Sequence, residues 1–324
     1  MIILHSTISF SYTMTITQLE YLIAVDKHRS FAKAAAACYV TQPTLSMQVK
    51  KIEEELNVLI FDRSKKPVLT TAIGQQIIQQ AKLTIREASR IQELIQNQNE
   101  EIKGDLRIGI IPSLSPYLLP LFASRFVRKY PEVSLIIQEL LSEQIFEQLR
   151  EGELDLGILV GPIEDDQLTE IPLFYEPFVV YTPHHHPLSK MEEINPEDLD
   201  MDDLWLLREG HCFRTQVINI CRDRKRMQPR PLQFESGSLE TLKRLVEQQY
   251  GYTLLPELAV INLNETQQAY VRRFTKPEPV REVSLLVHRR FMKRRLIELL
   301  RETILCHLPS QVSVKEKGRK IPWR

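Results

Sequence analysis

Apolar positions in the first hundred residues recur at three- and four-residue spacing, which predicts helices. Leu19, Leu22, Ile23 and Val25 make one face of a first helix, with Thr17 as its expected N-cap. Ser30 suits the cap of a second helix, FAKAAAACYV, whose alanines allow close packing. Thr41 and Gln42 lead into Pro43, which fits the first turn of a third helix, PTLSMQVKKIEEEL. That helix turns Leu45, Val49, Ile52 and Leu56 inward, and Asn57 suits a left-handed exit. Two short apolar runs then flank a basic turn, Arg63 to Pro67, as in a hairpin or wing. From Ala72 to Glu101, Ile77, Ala81, Ala88, Ile91 and Ile95 keep a helical period while glutamines fill the other faces. Such a long amphipathic helix without a core of its own calls for a partner helix, most simply from a second copy.

The pattern changes after Lys103-Gly104-Asp105. LRIGII, VSLIIQEL, LDLGILV and PFVVYT read as strands separated by helical stretches such as SPYLLPLFASRFVRKY. Alternation of this kind predicts a mainly parallel α/β sheet. A second set follows: LWLLRE, a segment with two cysteines, PLQFES, the helix LETLKRLVEQQ, YTLLP, VSLLVHR and a terminal helix, MKRRLIELLRETILCHL. Residues 1–13 read as a disordered extension, and residues 309–324 as a disordered basic tail.

Composition narrows the class without choosing a function. The 324 residues are 43% hydrophobic and 26% charged, with a formal net charge of zero, so nucleic-acid binding would need a local patch. Four cysteines do not make a disulfide scaffold and fit a reducing, cytoplasmic setting. No apolar run approaches the roughly 20 residues that cross a bilayer, so no membrane partner is expected.

Three helices and a wing have the form of a winged helix-turn-helix. The third helix carries short polar groups at its start, Gln42, Thr44, Ser46 and Gln48, able to reach base edges in a major groove. Lys50 and Lys51, with Arg63, Lys65 and Lys66 of the wing, are candidates for gripping phosphates. Residues 14–72 hold eight Lys/Arg against six Asp/Glu, a balance of +2 that also fits a generic helical bundle. The stretch FAKAAAACYVTQPTLSMQVKKIEEELNVLIFDRSKKPVLTTAIG resembles the helix-turn-helix of LysR-type transcriptional regulators, apart from Met47 at a position where glycine or a polar residue is usual. The resemblance implies a DNA-binding domain over 14–72 and a dimerising linker helix and hinge over 73–104. It implies a two-lobed α/β, periplasmic-binding-protein-like effector domain, with lobe I at 105–181 plus 284–308 and lobe II at 182–283. It further implies homodimers assembled into tetramers on paired DNA half-sites, contact with RNA polymerase, and a small-molecule cleft near IPSLSP.

The stretch LREGHCFRTQVINIC holds Cys212 and Cys221 nine residues apart. From the residues alone it could be a pair of buried thiols, part of a metal site, or a thiol switch. If helical, the two lie about 13.5 Å apart and face opposite ways, too far for a disulfide unless the segment refolds. His211 and Arg214 are the nearby cations that could stabilise a thiolate. The same stretch, with QFESGSLETLKRLV and GYTLLPELAV, resembles the peroxide-sensing branch of the LysR family. That resemblance makes Cys212 the peroxidatic cysteine and Cys221 the resolving one, with His211 and Arg214 in the peroxide pocket. It places the hydroxyls of Ser113 and Ser142 where the branch has threonines, and Phe234 and Arg281 around the switch segment. Thr215 stands where the branch carries aspartate, which puts the rate of reaction in question; Phe213 replaces a leucine.

Other candidates read as structural. Cys38 is expected in a helix core, and Cys306, on the terminal helix, is expected to be buried or inert. His184, His185 and His186 precede Pro187 as in a loop common among these regulators, and no metal or cofactor is expected. The functional expectation is a peroxide-responsive activator of oxidative-stress genes, not an enzyme. The alternative is a regulator of the same family triggered by a metabolite in the cleft.

Overall fold

A computed structural model describes residues 14–98, 102–221, 234–248, 251–289, 291, 293–316 and 318–323. The expectation for residues 1–13 lies outside this set. The chain divides into two compact units, ending and beginning at residues 99 and 100.

The first unit holds α1 (Ile16–His28), α2 (Phe31–Ala37), α3 (Gln42–Leu56), a wing of β1 (Phe61–Asp62) and β2 (Leu69–Thr70), and α4 (Ala72–Gln98). Helix α1 starts two residues before the expected place. Thr15 is its N-cap, because Gln18 at the third helical position reaches back to the Thr15 N–H while Thr15 Oγ1 accepts from Gln18 N. Ser30 caps α2 as expected, Thr41 caps α3, and Asn57 leaves α3 at φ 50°. The core joins Leu22, Val25, Leu45, Val49, Ile52, Ile60 and Phe61 to Ile78 and Ala81 of α4. Buried Glu53 fastens the wing to α3, accepting from Ile60 N and Phe61 N. Further along α4, Ile91 is 65% exposed, an apolar side chain left for a partner; the side chain of Ile95 lies outside the described residues.

The second unit continues with β3 (Gly104–Ile110), α5 (Ser115–Lys129), β4 (Val133–Glu139), α6 (Ser142–Glu151), β5 (Leu156–Gly161) and β6 (Leu168–Tyr181). Then come β7 (Glu193–Ile194), α7 (Cys212–Ile220), α8 (Leu239–Glu247), β8 (Thr253–Pro256), α9 (Glu265–Gln268), β9 (Val271–Phe274), β10 (Pro279–His288), α10 (Arg294–Cys306) and β11 (Arg319–Lys320). The sheet is mixed rather than mainly parallel. Strand β3 runs parallel to β4 and β5, but β10 returns between β5 and β6 antiparallel to both. Strand β6 serves two sheets: its first part pairs with β10, and Phe178–Tyr181 pairs with β8 and β9. The chain thus passes between lobes at Pro177–Phe178, and returns with β10 from Pro279, earlier than expected at both points. LWLLRE forms only isolated bridges, Leu204 with Tyr252 and Leu207 with Ser236.

Two hydrophobic cores result. One is built on β3–β5, α5, α6 and α10; the other on the second part of β6, α7, α8 and β8. The tail is the largest departure from expectation. Ser313 bridges Tyr175, β11 pairs parallel with the start of β10, and Ile321 and Trp323 are buried. Its basic composition hid Val312, Ile321 and Trp323, whose apolar surface is sufficient to dock it.

Candidate redox site and nucleic-acid interface

The redox segment is positioned by backbone geometry. Gly210 has φ +88°, a conformation that costs any residue with a Cβ, and it delivers His211 as N-cap and Cys212 as the first residue of α7. Cys221 is the C-cap at the other end. Although both cysteines border one nine-residue helix, Cys212 belongs to the lobe I core and Cys221 to the lobe II core.

Ser142 and Arg281, both buried, act on Cys212, and Arg281 in turn holds the buried Ser113. The Ser142 side chain and the backbone N–H groups of Phe213 and Cys212 lie close enough to the sulfur to lower its pKa. Ser142 is the first residue of α6, so two helix N-termini meet at the thiol, a setting that favours negative charge. Arg281 Nη1 donates to Ser113 Oγ at 3.0 Å and Nη2 to Ser113 O at 3.2 Å. Its Nε lies 2.8 Å from Glu176 Oε2, and the guanidinium stands 5.3 Å from the Phe213 ring centroid. The Cys212 thiol is raised above its usual value: burial dominates, and Ser142 and the Arg281 charge oppose the shift without reversing it. Cys221 has no such help: burial alone pushes it to about 12.

Several expected pocket residues have other roles. Burial, then the nearby Arg208, lowers the His211 pKa, and its Nε2 accepts from Arg208 Nε at 3.5 Å. Arg214 donates to Leu207 O at 2.9 Å, tying the first turn of α7 to the segment before it. Phe234 is 45% exposed, and Phe213 is buried against Phe178 with ring centroids 5.4 Å apart. Thr215 is half-buried on α7. Two participants were missed. Glu176, fully buried, holds Arg281 in place and also accepts from Leu258 N. Tyr117 donates to Glu240 across the lobes at 2.9 Å. A glutamate within the apolar run FYEPFVVY was a visible signal for the first. Of the remaining thiols, Cys38 is half-buried against the core of the first unit, and Cys306 is exposed. The three histidines diverge: His184 packs on Tyr270 and His186 on Tyr252, where its Nδ1 accepts from Leu188 N.

On the first unit, Gln42, Pro43 and Thr44 are exposed at the start of α3, and Met47 is 63% exposed. Tyr39, at φ 55° in the turn before α3, is 97% exposed. Gln48 instead accepts from Gln18 Nε2 and Ser46 Oγ from Arg63 Nη1, so both are tied to the scaffold. Arg63 also pairs with Glu53 and lies over the Phe31 ring at 4.6 Å, which makes it structural. Lys65 and Lys66 are exposed on the wing, and Lys50 and Lys51 pair loosely with Glu54 and Glu55 one turn on.

Residues 16–75 match the bacterial regulatory helix-turn-helix protein family of lysR type, and residues 99–309 match the LysR substrate binding domain. The chain is 35% identical to the hydrogen peroxide-inducible genes activator of Pectobacterium carotovorum subsp. carotovorum, over 94% of this chain and all of that protein. The chain belongs to the LysR family, in its OxyR branch. Another relative, the DNA-binding transcriptional dual regulator OxyR of Escherichia coli K12, is 36% identical over 90% of this chain and 95% of its own. Full-length OxyR from Pseudomonas aeruginosa superposes with a TM-score of 0.76 at 36% identity, covering 91% of this chain and 99% of that one. A peroxide-bound OxyR variant from Corynebacterium glutamicum gives 0.59 at 27% identity, over 91% and 93%. As a LysR-family regulator of this branch the chain combines a DNA-binding helix-turn-helix with a two-lobed effector domain, and such regulators oligomerise.

Proposed function

We propose that this protein is a cytoplasmic, peroxide-responsive transcription factor, mainly an activator of oxidative-stress genes, in which Cys212 and Cys221 are the switch. The arrangement that carries this reading is the assignment of the two thiols to separate lobe cores at opposite ends of one helix.

The chemistry proceeds in two steps. Cys212 sulfur attacks one oxygen of hydrogen peroxide, the O–O bond breaks, and water leaves with the thiol proton; the product is a sulfenic acid. Arg281 and the hydroxyls of Ser142 and Ser113 hold the thiolate before attack and stabilise the negative charge that develops on the leaving oxygen. Cys221 then displaces the sulfenic hydroxyl as a second water, so two thiols give up two electrons and peroxide becomes two waters. The helix end-to-end distance, about 13.5 Å, far exceeds the roughly 7 Å limit for a disulfide, so α7 must unwind. Cys212 then leaves the lobe I core, and the lobes and the dimers of a tetramer re-seat. That movement re-spaces the DNA-binding units on paired half-sites and alters contact with RNA polymerase.

The test is intact mass with thiol trapping before and after one equivalent of hydrogen peroxide. A loss of two protons mapped to a Cys212–Cys221 peptide, absent in Cys212→Ser and Cys221→Ser, supports the reading. Free thiols after peroxide would end it and turn attention to a metabolite for the cleft.

A further inference from the structure

The segment Arg319–Trp323 crosses from one lobe to the other and touches the switch helix on its way. Backbone bonds Arg319 N to Glu278 O and Ile321 N to Val280 O lay it beside the start of β10, and Lys320 pairs with Glu282 at 2.8 Å. Ile321 enters the lobe II core and Trp323 the lobe I core. Trp323 Nε1 donates to Pro162 O at 3.0 Å, and its ring lies 5.9 Å from that of Phe146.

Between these anchors the backbone carbonyls of the tail face α7. Gln216 Nε2 donates to Ile321 O and Asn219 Nδ2 to Pro322 O, each at 2.9 Å. Steps of four and three residues put Cys212, Gln216 and Asn219 along one stripe of the helix. Gln216 is fully buried, and its Oε1 has no hydrogen-bond partner among the described residues. A buried glutamine that is only half satisfied is a poor core residue, so its bond to the tail is the feature that accounts for it.

We propose that residues 319–323 are a latch on the redox switch, holding α7 wound through Gln216 and Asn219 and thereby setting the rate of disulfide closure. The proposal rests on the peroxide-switch reading above. Formation of the sulfenic acid needs only Cys212 and its pocket, so the latch leaves that step alone. Closure requires α7 to unwind and Cys221 to emerge from its core, and unwinding breaks both bonds to the tail. Gln216, Asn219 and the tail are positioning elements; none touches the reacting atoms.

The experiment uses the full chain, the chain ended after Gly318, Asn219→Ala and Gln216→Leu. Sulfenic acid formation is timed in a Cys221→Ser background, and disulfide closure is timed by quenched thiol trapping with Cys221 present. The expected result is sulfenic acid formation within about twofold of the parent and closure at least roughly tenfold faster in the truncated chain, with smaller accelerations in the two point variants. Hydrogen exchange across α7 in the reduced protein rises in the same order. Closure at the parental rate, or slower, with normal sulfenic acid formation overturns the latch. If truncation prevents folding, the two point variants decide by the same criterion. Failure of the unaltered chain to form sulfenic acid would instead overturn the switch reading itself.

Discussion

Arg281 and Glu176 form an ion pair in which neither side chain is exposed, and the free side of that guanidinium holds Ser113 beside the Cys212 pocket. Burial pushes the Glu176 carboxyl up, and Arg281 and the Leu258 N–H oppose the shift. Removing one partner leaves a buried charge unpaired. Glu176→Leu or Arg281→Met alone should destabilise the effector domain by about 3–5 kcal/mol, while the double substitution recovers much of that loss. Denaturant unfolding of the three variants checks it; additive losses would refute the pairing. In the folded double variant, sulfenic acid formation should slow roughly a hundredfold, because the charge facing sulfur is gone.

Ser142 is the strongest of the groups that lower the Cys212 thiol pKa against burial. Ser142→Ala should slow peroxide reaction about tenfold, the size of one lost hydrogen bond to a charged group, and Ser142→Thr should keep most of the rate. Stopped-flow oxidation at constant pH distinguishes them. Equal rates in all three would show that the hydroxyl is a bystander.

Gly210 turns the chain into α7 at φ +88°, and a Cβ there would meet only Leu141 Cδ1 at 3.4 Å. The cost of a side chain is therefore torsional. Gly210→Ala should lose about 1–2 kcal/mol, Gly210→Asn less, since asparagine tolerates left-handed backbone better. Thermal unfolding under reducing conditions reads the difference, and a neutral Gly210→Val would contradict it.

Cys221 holds its proton in the folded state up to about pH 12, against a starting value of 9.0. Between those limits the unfolded chain gives up the proton and the folded chain keeps it, so stability is full below pH 9 and falls as pH rises towards 12. The slope from this one group approaches about 1.4 kcal/mol per pH unit. Urea unfolding in reductant at two alkaline pH values should show Cys221→Ser losing less than the parent by that amount. Parallel slopes would mean that Cys221 is not held in the core.

On DNA, the wing divides into scaffold and contact. Arg63→Ala should lower the melting temperature of the DNA-binding unit, since it removes the Glu53 pair, the Ser46 bond and the Phe31 stack together. Lys65→Ala and Lys66→Ala should leave melting unchanged and each reduce the salt dependence of DNA binding by about one in the log–log slope. The reverse pattern would exchange their roles.

The sequence displayed the parts of this protein that depend on local pattern. Ser30 and Asn57 mark helix ends through their own backbone preferences, and both lie where the pattern put them. The first cap was misplaced because the bond from Gln18 back to Thr15 outweighs the claim of Thr17. What could not be read was long-range. Nothing near Arg281 in the chain announces Glu176, 105 residues away, and nothing near Gln216 announces Ile321. The cations assigned to the thiol, His211 and Arg214, were chosen by adjacency, whereas the charge that reaches the sulfur arrives on a different strand. Antiparallel return of β10 is likewise invisible to periodicity, which does not encode direction.

The seating of Cys212 in one core and Cys221 in the other has a quantitative consequence. The peroxide dose that switches half the molecules depends on how well a single thiol fits among leucines, as well as on how fast its sulfur reacts. Substitutions that tighten the space around Cys212 would raise that dose, and those that loosen it would lower it, with every reacting group untouched. Sensitivity in this protein can therefore be tuned through hydrocarbon alone.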